Sequence, residues 1–126
     1  MSQQSKSRRP ILTGDHVWVT VVGYGGSGAD GCVDLDRGTA HRNKGRWPWK
    51  PEAVPAERLA AARAAAEQLQ AMGDRCIQDS QLTLGEVQFT VTLGGQTNTV
   101  ILMDEGGGIR NTSMNTLWEL AIRGPS

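Results

Sequence analysis

The sequence predicts an α+β domain: an antiparallel sheet of about four strands, packed by one alanine-rich helix and a short C-terminal helix, in the order ββαββα. Three observations carry that prediction. Apolar and polar residues alternate with a period of two in four segments, an alanine-rich run at helical spacing separates the second from the third, and glycines stand where paired strands would reverse. The 126 residues fit one domain, assigned to 14–126, with the polar, basic stretch 1–13 as a flexible tail.

The first strand runs from His16 to Val22, where Val17, Val19 and Val21 alternate with Trp18, Thr20 and Val22. Both faces carry apolar groups, as expected of a central or doubly covered strand. After a glycine loop, Cys32 to Asp36 resumes the alternation, with pairing that can extend through Thr39, Ala40 and His41, so these two strands form a hairpin. The stretch 42–53 reads as irregular. Pro55 then suits the start of a helix, since the first turn has no use for its missing N–H. Leu59, Ala62, Ala66, Leu69 and Met72 mark one helical face, and Gly73 is the stop.

A third strand, from Leu84 or Glu86 to Leu93, presents Val87, Phe89 and Val91 on one side and Gln88, Thr90 and Thr92 on the other. Its polar side implies one wetted sheet face. Gly94-Gly95 is a two-residue hairpin signal leading into a fourth strand, Thr97 to Met103. Met114, Leu117, Trp118 and Ala121 have helical spacing, with Ser113, Asn115 or Thr116 as the cap and Gly124-Pro125 as the stop. The expected core, in or near it, is Val17, Val19, Val21, Val33, Leu35, Leu59, Leu69, Phe89, Val91 and Leu117.

Thirteen basic and thirteen acidic residues give a formal charge of zero, so global electrostatics offer no attraction to nucleic acid or a membrane surface. No apolar run approaches the ~18 residues of a membrane span, and the N-terminal residues lack the apolar stretch of a signal peptide. The chain as written reads as cytoplasmic, with a mature secreted form left open. Two cysteines, Cys32 and Cys76, do not make a disulfide scaffold; they fit two reduced thiols or one bridge, and the missing signal peptide favours reduced thiols.

Gly23 to Gly28 matches the glycine pattern of dinucleotide sites, but no helix follows to hold a pyrophosphate; Val33 and Leu35 continue at strand spacing. A glycine hairpin is the better reading. Asp34 and Asp36 lack the further ligands of a calcium loop. His16 and His41 have no zinc-spaced partners, so no metal site and no cofactor is expected. Cys32 with a histidine could make a nucleophile and base, but nothing local would activate the thiol. The expectation is a protein that is not an enzyme, with no catalytic residues.

One segment carries recognition chemistry. Arg42, Lys44, Arg46 and Lys50 surround Trp47 and Trp49. Trp and Arg dominate protein interfaces, and the same mixture suits single-stranded nucleic acid, with Lys6, Arg8 and Arg9 of the tail assisting. In the alternative without function, Pro48 turns both rings inward against the sheet edge. Tyr24, Gly25, Gly26 and Ser27 join the expected binding set, because glycines permit close backbone approach.

The strand and glycine loop at Val17–Gly28, the strand Val33–Asp36, the helix 56–72, the hairpin Val87–Met103 and the final Leu117-Trp118 segment together resemble emfourin-like proteins. These are small bacterial inhibitors of thermolysin-type metalloproteases. The resemblance spans roughly residues 16–122 in order and spacing, and a cystatin-like sheet-and-helix plan is a looser match. It implies a cofactor-free inhibitor that blocks a protease through surface loops. No short motif carries inhibitory residues across, and the basic Trp segment departs from the compact family pattern. The expected function is therefore a non-catalytic module that binds, inhibits or regulates a protein partner such as a protease. Nucleic-acid binding through 42–50 is the alternative, and pairing of two copies at a sheet edge is a further expectation.

Overall fold

The computed structural model describes residues 9–23, 28–43, 49–78, 84–104 and 109–125. Seven strands form one mixed sheet: β1 (His16–Gly23), β2 (Ala29–Asp34), β3 (Thr39–Asn43), β4 (Lys50–Ala53), β5 (Arg75–Gln78), β6 (Gly85–Leu93) and β7 (Gln96–Asp104). Helix α1 (Ala56–Met72) falls between β4 and β5, and helix α2 (Thr112–Trp118) runs into a π-helical turn at Glu119–Arg123. The spatial order is β4-β3-β2-β1-β6-β7-β5. All neighbours are antiparallel except β5, which lies parallel to β7.

The α+β class stands, but about four antiparallel strands becomes seven mixed ones. The predicted second strand divides in two. β2 begins at Ala29 and ends at Asp34, whose carboxylate accepts the backbone N–H groups of Asp36 and Arg37 at 3.1 Å each and so turns the chain into β3. Gly38, at φ 72°, completes this turn. β4 and β5, four residues each, are the two edges of the sheet. The β4 edge carries Pro51, which has no N–H to offer a further strand.

Both helices lie on one face. Val17, Val19, Val33, Phe89, Val91, Val100 and Leu102 point from the sheet into a buried core with Ala62, Ala65, Ala66 and Leu69 of α1 and Met114, Leu117 and Leu120 from the C-terminal helices. Of the core expected from sequence, Val21 and Leu59 are partly buried against it and the other eight are buried. Alanines let α1 lie close to the strands. Gly31 brings β2 against the π-helical turn, because a Cβ there would overlap the Ala121 carbonyl oxygen.

Pro55 precedes α1 and Gly73 ends it at φ 69°. Asn98 fixes that end, donating its amide to the Leu69 and Gly73 carbonyls at 3.0 and 2.7 Å. The cap of α2 is Asn111 rather than Ser113, Asn115 or Thr116: its side chain accepts the Met114 N–H at 3.0 Å. Gly94 and Gly95 both have positive φ and reverse β6 into β7.

Candidate functional site

Strand directions sort the connections between two ends of the sheet. β1 ends at Gly23 and β2 begins beyond it, while β3 ends at Asn43 and β4 begins at Lys50. In the antiparallel register these termini lie at one end, together with the last residue of β5, the first of β6 and the last of β7. The opposite end holds the 35–38 turn, the Gly94-Gly95 hairpin and Asp15. Thus the residues that flank the glycine segment, Gly23 and Ala29, and those that flank the basic Trp segment, Asn43 and Lys50, lie at the same end of neighbouring strand pairs. Tyr24, Gly25, Gly26, Ser27, Lys44, Arg46 and Trp47 themselves lie outside the described residues.

Three residues of the expected site are described. Arg42 shares the helix-facing side of β3 with buried Ala40, two positions away. Its Nε and Nη2 donate to the Glu52 carboxylate at 2.9 and 3.3 Å, and its Nη1 donates to the Arg123 carbonyl at 2.7 Å. This guanidinium ties β3 and β4 to the π-helical turn. Lys50 opposite it is exposed. Trp49 lies edge-on to Trp18, with ring centroids 5.8 Å apart and planes at 78°.

Trp18 points to the face without helices, opposite Cys32 of β2. The Arg9 guanidinium carbon stands 4.1 Å from the Trp18 ring centroid, a cation–π distance. Sequence reasoning did not single out Trp18, and named Arg9 only as a tail cation assisting nucleic-acid binding. The signal was present: if Val17 and Val19 face the core, Trp18 and Thr20 must face the wetted side. At the loop-bearing end of the same sheet, Val22 and Leu84 are 47% and 54% exposed.

Cys32 pairs in register with His41 across β2 and β3, so strand pairing brings the sequence's thiol–imidazole pair together. Burial pushes the Cys32 thiol up to about 12, which keeps it protonated and a poor nucleophile at neutral pH. Burial likewise holds the His41 imidazole below its ordinary range, and its Nε2 lies 3.1 Å from the Thr39 hydroxyl. Cys32 and Cys76 are both free thiols. Three strands, roughly 19 Å of sheet, separate the strands that carry them.

Among the described residues, no group of three or more His, Cys, Asp or Glu side chains could hold a metal, and no helix is long and apolar enough to cross a membrane. A shallow hollow of about 250 Å³ lies on the helical side, lined by Arg58, Ala61, Asn115, Thr116, Glu119 and Leu120. It is separate from the Trp18–Trp49 contact. Comparison with protein-family models, curated proteins and solved structures gives no match.

Proposed function

We propose that this domain is a non-catalytic protein-binding module that inhibits or regulates its partner, a protease being the leading class, and that it binds through the loop-bearing end of its sheet. The observation that carries the reading is topological: the strand ends that flank both segments with recognition chemistry lie side by side at one end of the sheet. Binding residues are commonly held in this way, on loops positioned by a packed scaffold. Val22 and Leu84 add exposed apolar surface at that end, and Trp49 is an aromatic anchor beside it.

Charge favours a protein over nucleic acid. The strand residues that face away from the helices include Asp30, Asp34 and Glu86 and no Lys or Arg. A phosphate backbone laid across this face would meet Asp30 and Glu86, with Arg9 over Trp18 as the one described cation there, too few for the multiple phosphate contacts that drive such binding.

The test is affinity capture on the immobilised domain, with and without nuclease, comparing the native chain with the Trp47→Ala, Trp49→Ala pair. The expected outcome is a nuclease-resistant protein whose affinity falls by about 30-fold or more in the double variant, the scale of an interface hot spot, with unchanged circular dichroism. Equal binding by the folded variant, or loss of the captured material on nuclease treatment, contradicts the proposal.

A further inference from the structure

The helix-free face of the sheet holds one aromatic corner with a cation already in it. Trp18 offers the face of its indole, Trp49 stands nearly perpendicular 5.8 Å away, and the Arg9 guanidinium lies over Trp18 at 4.1 Å. Directly across from Trp18, Cys32 is fully buried although its strand face carries no helix. Asp30 and Asp34 flank Cys32, two positions away on the same side of β2, so each is about 7 Å along the strand. The Asp34 carboxylate is buried and already taken by the Asp36 and Arg37 N–H groups, so the corner combines a π-face, an aromatic wall and the negative charge of Asp30 on one side. Those are the features that favour a guanidinium, which is planar, permanently charged and more weakly hydrated than an ammonium.

Arg9 lies outside the strand ladder. Among the described residues, no hydrogen bond joins residues 9–13 to the sheet, and Ile11 is 84% exposed. Pro10 and Leu12 are half-buried, but no backbone ladder pins this segment down. Among the described residues the ring is the contact that the guanidinium makes, and a competing arginine can replace it.

We infer that the Trp18–Trp49 corner is a binding site for an arginine side chain on an extended peptide segment, filled in the free protein by Arg9 of the same chain. The inference rests on the protein-binding reading above and gives the partner a chemistry: a segment that presents arginine to this face. The partner must displace Arg9, so the N-terminal segment is a built-in competitor. Among the described strand residues none that faces outward is Lys or Arg, so once Arg9 is displaced a polyanion finds no strand cation on this face.

The test uses the full-length Arg9→Ala protein and reads the tryptophan indole N–H signals by nuclear magnetic resonance. The substitution itself should move the Trp18 and Trp49 signals and leave Trp118, on the helical side, in place. Titration with a synthetic peptide of residues 1–12 should return both signals toward their native positions. The same peptide with Arg8 and Arg9 both replaced by Ala should bind about fivefold more weakly. The native protein should respond less than Arg9→Ala, because its own arginine competes, and Arg9→Lys should fall between them. The site is overturned if Arg9→Ala leaves the Trp18 and Trp49 signals unmoved, if the two peptides act equally, or if oligothymidylate rather than the peptide shifts them. Should the peptide fail while a captured protein still depends on Trp47 and Trp49, the arginine site falls and the protein-binding reading stands.

Discussion

Replacing Gly31 with Ala tests how the helical layer is seated on the sheet. Gly31 lies in β2 opposite Val19 and Arg42, on the core side. An added Cβ would overlap the Ala121 carbonyl oxygen, lie 2.5 Å from its carbon and sit 3.2 Å from its Cα. Real Cβ atoms essentially never come within 3.0 Å of such neighbours. The obstacle is backbone, so no side-chain rotation relieves it, and the π-helical turn must retreat from β2. That retreat loosens the packing of buried Leu120 and Ala121 and lengthens the Arg42 bond to the Arg123 carbonyl. Overpacking costs about 1–3 kcal/mol, and an immovable partner places this change near the upper figure. For a chain of this size about 3 kcal/mol lowers the melting temperature by roughly 10 °C. Thermal unfolding followed by circular dichroism measures it, with Gly95→Ala as the control. Gly95 has open space around it and only its φ of 80° to strain, so it should cost about 1 kcal/mol. A Gly31→Ala loss no larger than the Gly95→Ala loss would refute the close approach of β2 to the turn.

Asp15 accepts Arg63 Nη1 at 2.8 Å and the Gly94 N–H at 2.9 Å, and these bonds hold its carboxyl below the usual value of 3.8. A depressed folded-state pKa contributes stability that is present above the unfolded value and lost as pH falls through the folded one. Denaturant unfolding from pH 6 down to pH 2 should therefore show an acid-side loss that is smaller in Asp15→Asn; parallel curves would contradict this. Removing the Asp34 carboxylate as Asp34→Ala leaves the Asp36 and Arg37 N–H groups without their acceptor and should cost about 1–3 kcal/mol in denaturant unfolding. A neutral result would mean that the 35–38 turn stands without it. In the native protein at pH 8, a disulfide-exchange reagent should titrate one thiol rapidly, Cys76, and reach Cys32 only on unfolding. Two rapid thiols would contradict the burial of Cys32.

Much of the scaffold was legible because it is punctuated. Pro55 and Gly73 bracket α1 at the predicted Ala56–Met72, and Gly94-Gly95 marks the β6–β7 reversal. Strict alternation over the eight residues from Glu86 to Leu93 identifies β6 and its polar side. β4 and β5 escaped for the opposite reason. Four residues are too few to show a period, and Lys-Pro-Glu-Ala and Arg-Cys-Ile-Gln have little strand preference of their own. Their pairing partners, β3 and β7, make them strands, and the parallel pairing of β5 depends on where α1 delivers the chain.

The site was legible in its composition and not in its direction. With 42–53 read as irregular, nothing assigned Arg42 a side. Once β3 is a strand, its parity with Ala40 turns the guanidinium toward Glu52 and the C-terminal turn. Trp49 falls on the other parity and meets Trp18. Arg9 could not be placed from sequence, because its contact comes from a segment with no period and no pairing.

The central claim is that the loop-bearing end of the sheet is where a protein docks. Its most direct test is amide hydrogen exchange on the domain, free and bound to the captured partner. Added protection at Val22–Gly23, Ala29, Asn43, Lys50 and Leu84–Gly85, with none at Gly73, Gly94 or Gly95, is the predicted result. Protection concentrated at Gly73 and the Gly94-Gly95 hairpin would place the interface at the opposite end and contradict the account.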